Sequence, residues 1–364
     1  MACGTTRTYG GCVIGRVALM LPETVRASGN RWIVLSDGAR PTEDIYFLAS
    51  AAPLLRKQSV SVERFDTRRY RLPARMALRQ LAGAHLLIVR SLGERWVRLL
   101  ERHRARFGRI VYLIDDDLGA VTRTPGLPDA YVSRLSGLAA RQPALLRLAD
   151  EVVACCDALV TQLAREHANV SLLTPPLLST PDDLSHFDEA AWSIGYHGTR
   201  AHRDDIAHLA PALSSVMTSH PDTRLEVMMG RHLPDALADI PNLTSPEALP
   251  WEEFQRYQAT RRLQIGLAPL LDTPFNRGKS WIKFLDIAAM GGVGIYSRRA
   301  PVIEIVEHGV DGLLVGDDPH EWQAAIEQLL TDRDATRTMA ARAQEKSKRI
   351  GSVDACADFW GKRA

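Results

Sequence analysis

The chain has 364 residues, 46% hydrophobic and 24% charged, with a net charge of +2. That length leaves room for two or three ordinary domains, each with its own core, and the composition is that of a globular protein. No apolar run reaches the roughly 18–20 residues a membrane-spanning helix requires; an apolar patch lies at Val17–Leu21, but Arg16 and several glycines interrupt any signal-peptide core, so no export signal is expected.

Taken in order, the chain reads as strands alternating with amphipathic helices, the pattern of stacked βαβ units and a parallel sheet. Strands are predicted at Arg31–Ser36, His85–Arg90, Arg109–Ile114, Glu151–Ala154 and Val170–Leu173, with helices at Glu94–Arg106 and Pro143–Ala149 between them. From Thr174 to Glu189 three prolines and four acids appear without periodicity, which is a linker signature. The alternation then restarts. Strands are predicted at Trp192–Tyr196, Arg224–Met229, Gln264–Pro269 and Gly292–Tyr296, and helices at Asp205–Ser219, Trp251–Ala259 and Lys279–Met290. Asp318 followed by Pro319 is an N-cap with proline at the first helical position, opening a last helix through Trp322, Ile326 and Leu330.

The expected fold is α/β, with two Rossmann-like domains facing across a cleft. Residues 1–178 form the first domain, with room for irregular structure over 1–28. Residues 179–190 form the linker and 191–345 the second domain, and 346–364 form a C-terminal helix that can pack back on the first domain. Both sheets would present strand ends to the cleft, where open α/β sheets bind ligands. There is no GxGxxG and no GxxxxGK[ST], so dinucleotide and P-loop chemistry are unsupported.

The most informative segment is Asn276–Gly292. Only six of the 45 basic residues are lysine, and two of them, Lys279 and Lys283, fall here. With Asp286 they occupy one face of the predicted helix. Lys279 and Ser280 at its start combine charge, a hydroxyl and free backbone N–H groups, a cradle for a pyrophosphate. Asp286, two turns on, can accept from a ribose diol. The bland alternative is a surface Lys283–Asp286 pair. In Tyr196–Asp205, Gly198 and Thr199 let backbone approach a phosphate, and Arg200, His202 and Arg203 add charge and donors. The turn at Gly309–Gly312 reads as structural, and a role for Glu304 stays open.

Residues 192–331 resemble the donor-binding domain of GT-B glycosyltransferases of the family-4 group. The matching residues are Gly198-Thr199-Arg200 through Arg203, Lys279 to Gly291, and Pro301 to Val315. Within that group the closest pattern is Phe275-Asn276, Lys279-Ser280 and Lys283-Phe284-Leu285-Asp286. The resemblance implies that Asp286 binds the donor ribose and that Arg200, Arg203 and Lys279 neutralise the diphosphate leaving group. It also implies retention of anomeric configuration. One departure stands out: the first acid of the family's E-x7-E pair falls at Gly278, so its contact with the sugar is missing. The first half matches only in outline.

In that half, Asp115, Asp116 and Asp117 follow a predicted strand. Three carboxylates there repel one another and are expected to raise one another's pKa. A metal-binding DxD is one reading, which the basic second-half site argues against. Asp115 and Asp116 serving the transfer step from across the cleft is another, and an N-cap role for Asp117 a third.

Composition adds to the expected partners. Residues 1–178 carry 25 Arg/Lys against 16 Asp/Glu, and 179–364 carry 20 against 27. Arg56 to Arg109 alone hold 15 basic and 4 acidic residues. This face either attracts anionic lipid headgroups, at about 1 kcal/mol per well-placed base, or is a solvated surface. Nucleic acid is not expected, since few aromatics are present to stack bases. Cys3, Cys12, Cys155, Cys156 and Cys356 form no CxxC, and an odd count suits a reducing cytoplasm.

The expected activity is therefore glycosyl transfer from a nucleoside-diphosphate sugar to a glycan or glycolipid hydroxyl, in bacterial surface polysaccharide or glycolipid assembly. It would use neither cofactor nor metal, in the cytoplasm or at the inner membrane face. The alternatives are a GT-B epimerase or phosphorylase, and a non-catalytic nucleotide-sugar-binding partner of another transferase.

Overall fold

The computed structural model describes residues 30–70 and 73–363. The irregular stretch expected over 1–28, with Cys3 and Cys12, lies outside the described residues, as does Arg71 of the basic stretch. Strands β1 (Arg31–Ser36), β2 (Ser61–Asp66), β3 (His85–Val89), β4 (Ile110–Ile114), β5 (Glu151–Ala154) and β6 (Val170–Leu172) form one sheet, ordered β2-β1-β3-β4-β5-β6. Strands β7 (Ser193–His197), β8 (Arg224–Met228), β9 (Leu243–Thr244), β10 (Ile265–Ala268), β11 (Val293–Ser297) and β12 (Leu313–Val315) form a second, ordered β12-β11-β10-β7-β8-β9. Every pairing is parallel.

β3, β4, β5, β10 and β11 are buried at every position, which is why they read as unbroken apolar runs: helices cover both faces of each sheet. β2 sits at an edge and sets a buried Val62 between exposed Ser61 and Glu63, and the sequence reading passed over it. In each sheet the chain winds outward from β1 or β7, then crosses back to β3 or β10. That reversal leaves a crevice at the carboxyl ends of the strands beside it.

Three predicted helices differ. The one expected over Glu94–Arg106 ends at Arg102, and Arg104–Arg106 is a separate 3₁₀ turn. The segment read as one helix from Asp205 to Ser219 is two, Arg203–Ala207 and Ala210–Ser219, with Pro211 in the first turn of the second. Proline fits a first turn and breaks an interior. The helix expected from Lys279 starts only at Ile282, and Lys279 itself is extended, with φ −84° and ψ 153°. Asp318 does cap helix Pro319–Thr331, accepting from the His320 N–H.

Residues 173–184 form neither helix nor strand. Helix Arg333–Ile350 puts Met339 and Ala340 into the second core. Helix Val353–Gly361 crosses back to the first, where Trp360 has no exposed surface. Its ring stands edge-on to Trp32 and Phe47 at 5.5 and 4.9 Å, and its Nε1–H donates to the Tyr46 carbonyl at 2.8 Å.

Candidate active site

The first domain supplies a cluster at the ends of β3 and β4. Arg90 follows β3 with φ +59°, a left-handed backbone uncommon for a side chain of this size. Its guanidinium donates to Asp115 Oδ2 at 2.6 Å and lies 3.0 Å from Asp116 Oδ2. The Tyr112 hydroxyl donates to the Arg90 carbonyl at 2.8 Å, and Thr42 Oγ1 donates to Asp115 Oδ2 at 2.7 Å. Asp117 turns away and accepts the Gly119 and Ala120 N–H groups at 3.0 and 3.1 Å, the N-cap role anticipated for it. The three acids therefore diverge, each to its own donors.

Lys279 comes from the second domain. Its Nζ donates to Asp116 Oδ1 at 2.6 Å and lies 3.8 Å from the centre of the Phe275 ring. This corrects two expectations. Asp116 does not face Lys279 across open space; the two touch. Nor is its carboxyl raised: burial alone would push it up, but Lys279 and Arg90 hold it below its ordinary value. Two cations match the two acids, so attraction outweighs the repulsion between neighbours. Lys279 also leaves the helical stripe, and only Lys283 and Asp286 share the face of helix Ile282–Ala289.

Further contacts dock the loop carrying Lys279 on the first domain. Phe275 is buried in the first core, edge-on to Tyr131 at 6.0 Å, and its N–H donates to Thr124 Oγ1 at 3.0 Å. The Cys156 thiol donates to the Gly278 carbonyl at 3.5 Å. A Cβ on Gly278 would lie 2.9 Å from Asp117 Cβ and 3.1 Å from its backbone nitrogen. The acid missing from position 278 thus has no room: the first domain occupies its place.

On the second domain, Lys283 Nζ donates to Asp286 Oδ2 at 3.0 Å, and Gln258 Nε2 donates to Asp286 Oδ1 at 3.0 Å. Ser280 lies by the buried Tyr46 phenol, which burial beside Cys155 and Asp115 pushes well up and Ser280 partly offsets. After β7, Gly198 packs on the Tyr196 hydroxyl, where a Cβ would collide, and Thr199 is exposed. Arg200 stands 6.0 Å from the Tyr131 ring and has no carboxylate partner among the described residues. His202 Nδ1 is 2.6 Å from Asp205 Oδ2. Burial, with Lys279 and Lys283 nearby, lowers its pKa despite Asp205. Arg203 points outward to Asp235 at 3.6 Å.

The structure thus gathers Asp115, Asp116, Lys279 and His202, sets Ser280, Lys283 and Asp286 beside them, and leaves Arg203 at the rim. The sequence reading missed Arg90 and Asp205. An arginine directly after a buried strand, and an aspartate three residues from a histidine, were the available signals. A small pocket of about 30 Å³ lies between the domains, lined by Cys156, Asp157, Arg277, Lys279, Trp281, Pro301 and Glu304.

No protein-family model matches the chain, and no curated protein matches it by sequence. Solved structures do. Sucrose-phosphate synthase of Thermosynechococcus elongatus is 16% identical, with a TM-score of 0.63 over 92% of this chain and 98% of its own. HepE of Anabaena, solved with UDP and glucose, is 14% identical, with a TM-score of 0.60 over 91% and 98%. A glycosyltransferase of Rickettsia africae is 11% identical, with a TM-score of 0.56 over 91% and 96%. The fold is GT-B. At such identities the likeness carries the fold, and function has to be argued from the site. Within this GT-B frame, loops Gly198–Arg203 and Phe275–Lys283 lie at the carboxyl ends of the second sheet and meet the first domain at Asp116. No helix among the described residues is long and apolar enough to cross a membrane.

Proposed function

We propose that this chain is a glycosyltransferase that moves a sugar from a nucleoside-diphosphate sugar to a hydroxyl acceptor. The observation that carries the reading is the meeting of two basic loops of the second domain, at Arg200–Arg203 and Lys279–Lys283, with a buried acid cluster of the first. UDP bound in HepE, a protein of the same fold, supports a nucleotide diphosphate as the ligand.

In this reading the diphosphate lies against Lys279, Ser280 and the first N–H groups of helix Ile282–Ala289, within reach of Arg200 and with Arg203 at the rim. Gly198 and Thr199 give it backbone access, and Asp286, steadied by Lys283 and Gln258, accepts from the ribose. An ammonium has three donors, so Lys279 can hold Asp116 and still reach a phosphate. Fixed positive groups stabilise the departing diphosphate, the main catalytic contribution. Asp115 and Asp116 act on the acceptor side. The transfer retains configuration, needs no metal and survives EDTA. The acceptor is a bacterial surface glycan or glycolipid at the inner membrane face, which the basic first domain approaches.

A panel of nucleotide sugars, scored by thermal shift and then by hydrolysis, tests this reading. Lys279→Ala should abolish turnover and weaken UDP, GDP or TDP binding by roughly 1.5–3 kcal/mol, the scale of a charge-assisted contact. Parent-like nucleotide binding by the folded variant would make Lys279 purely structural and the assignment wrong.

A further inference from the structure

His202 is held at one ring nitrogen and open at the other. Nδ1 faces Asp205 Oδ2 at 2.6 Å, and the ring centre lies 6.4 Å from that of Phe275. Asp205 is itself fixed, its Oδ1 accepting from the Leu271 N–H at 2.7 Å and from Asn276 Nδ2 at 3.0 Å. A carboxylate so placed takes the Nδ1–H, which leaves Nε2 with a lone pair in the neutral ring. Nε2 bonds to no other described residue, and a fifth of the side chain is exposed. The charged groups facing the ring come from three elements: Asp205 on its own turn, Lys279 and Lys283 after β10, and Asp116 from the first domain. Burial and the two lysines prevail over Asp205, so the free protein holds the ring neutral near pH 7.

We propose that His202 takes up a proton at Nε2 when a nucleoside diphosphate binds, adding a cation to the diphosphate site that is absent from the free protein. The inference rests on the donor-site reading above. A diphosphate against Lys279 and Lys283 brings negative charge that cancels their effect on the ring, leaving Asp205 and the phosphates to favour its charged form. Asp205 keeps Nε2 aimed while this happens. The proton comes from buffer and returns to it when the nucleotide leaves, so no further reactant is needed. While bound, Nε2–H donates a charge-assisted hydrogen bond to a phosphate oxygen. The sign for affinity follows: between the free and the bound pKa of His202, each rise of one pH unit weakens nucleotide binding by up to about tenfold.

The test is calorimetry of UDP, with GDP and TDP in parallel, in two buffers of equal pH and different ionisation heat. Wild type should take up a net proton on binding, approaching one near pH 7, and its affinity should fall from pH 6 to pH 8. His202→Gln should lose most of that uptake and bind with nearly flat pH dependence; His202→Asn gives the same comparison if the glutamine variant is unstable. Binding by wild type without uptake, or unchanged uptake in the variant, overturns the proposal and leaves the donor site standing. Folded wild type that binds none of the three nucleotides removes the donor-site reading, and this inference falls with it.

Discussion

Asp116 faces two cations, Lys279 at 2.6 Å and Arg90 at 3.0 Å, and a nucleotide arriving at Lys279 has to share that lysine with a fixed anion. Asp116→Asn keeps the shape and removes the competition. We expect UDP to bind about tenfold more tightly, equivalent to ~1.4 kcal/mol, while turnover with the true acceptor falls. Calorimetry reads the first and product formation the second; unchanged or weaker UDP binding would mean that Lys279 does not face the nucleotide. The cap made by Asp117 was legible because it depends on residues two and three positions away. The Asp116–Lys279 pair was not, since its partners are 163 residues apart and neither local pattern points to the other. Arg90 escaped for a related reason: its left-handed backbone is set by the strand end and by Tyr112, and arginine gives no sign of it.

The loop between β10 and helix Ile282–Ala289 is the element that joins the two domains at the site. Trp281 to Ala289 have helical apolar spacing, and Lys279, Lys283 and Asp286 extend it, so the sequence suggests a longer helix than forms. What holds Lys279 extended is the first domain, through Asp116, the Phe275 plug and the Cys156–Gly278 contact, none of which is local. The buried strands were legible because two-sided burial demands continuous apolar runs; β2, at an edge and carrying Glu63, lacks that mark. Gly278 makes the loop's close approach to Asp117 testable. In Gly278→Ala the new methyl meets backbone at 3.1 Å, a contact that yields only if the loop shifts. The change should cost roughly 1–3 kcal/mol, the usual scale of overpacking. Turnover should drop while UDP binding, which needs mainly the second domain, persists, and X-ray scattering should report a wider molecule. Parent-like turnover and dimensions would show that the approach at Gly278 does not set domain closure.

Among the described residues the chain passes between the domains twice, through the proline-rich segment around residue 180 and again at Gly351–Ser352. The second passage delivers helix Val353–Gly361 to the first core, where Arg363 also pairs with the buried Glu151. Burial alone would raise that carboxyl, but Arg363 and Ser171 hold it below its ordinary value of 4.5. A lowered folded value means the pair's contribution is complete above about pH 4.5 and fades as acid protonates Glu151. The larger anchor is Trp360, fully buried between Trp32 and Phe47 with its N–H satisfied by Tyr46. Trp360→Ala removes the ring, leaves a cavity among aromatic side chains and takes the indole donor from the Tyr46 carbonyl, which keeps the Cys356 thiol at 3.5 Å. The expected loss is about 3–5 kcal/mol, the range for a large buried aromatic, and it should fall on the first domain alone, because helix Arg333–Ile350 keeps its own contacts with the second. In denaturant melts followed with and without UDP, the first-domain transition should move to lower concentration, while the UDP-stabilised transition stays in place. A single transition shifting as a unit would show that the domains fold together and that the C-terminal helix stabilises both.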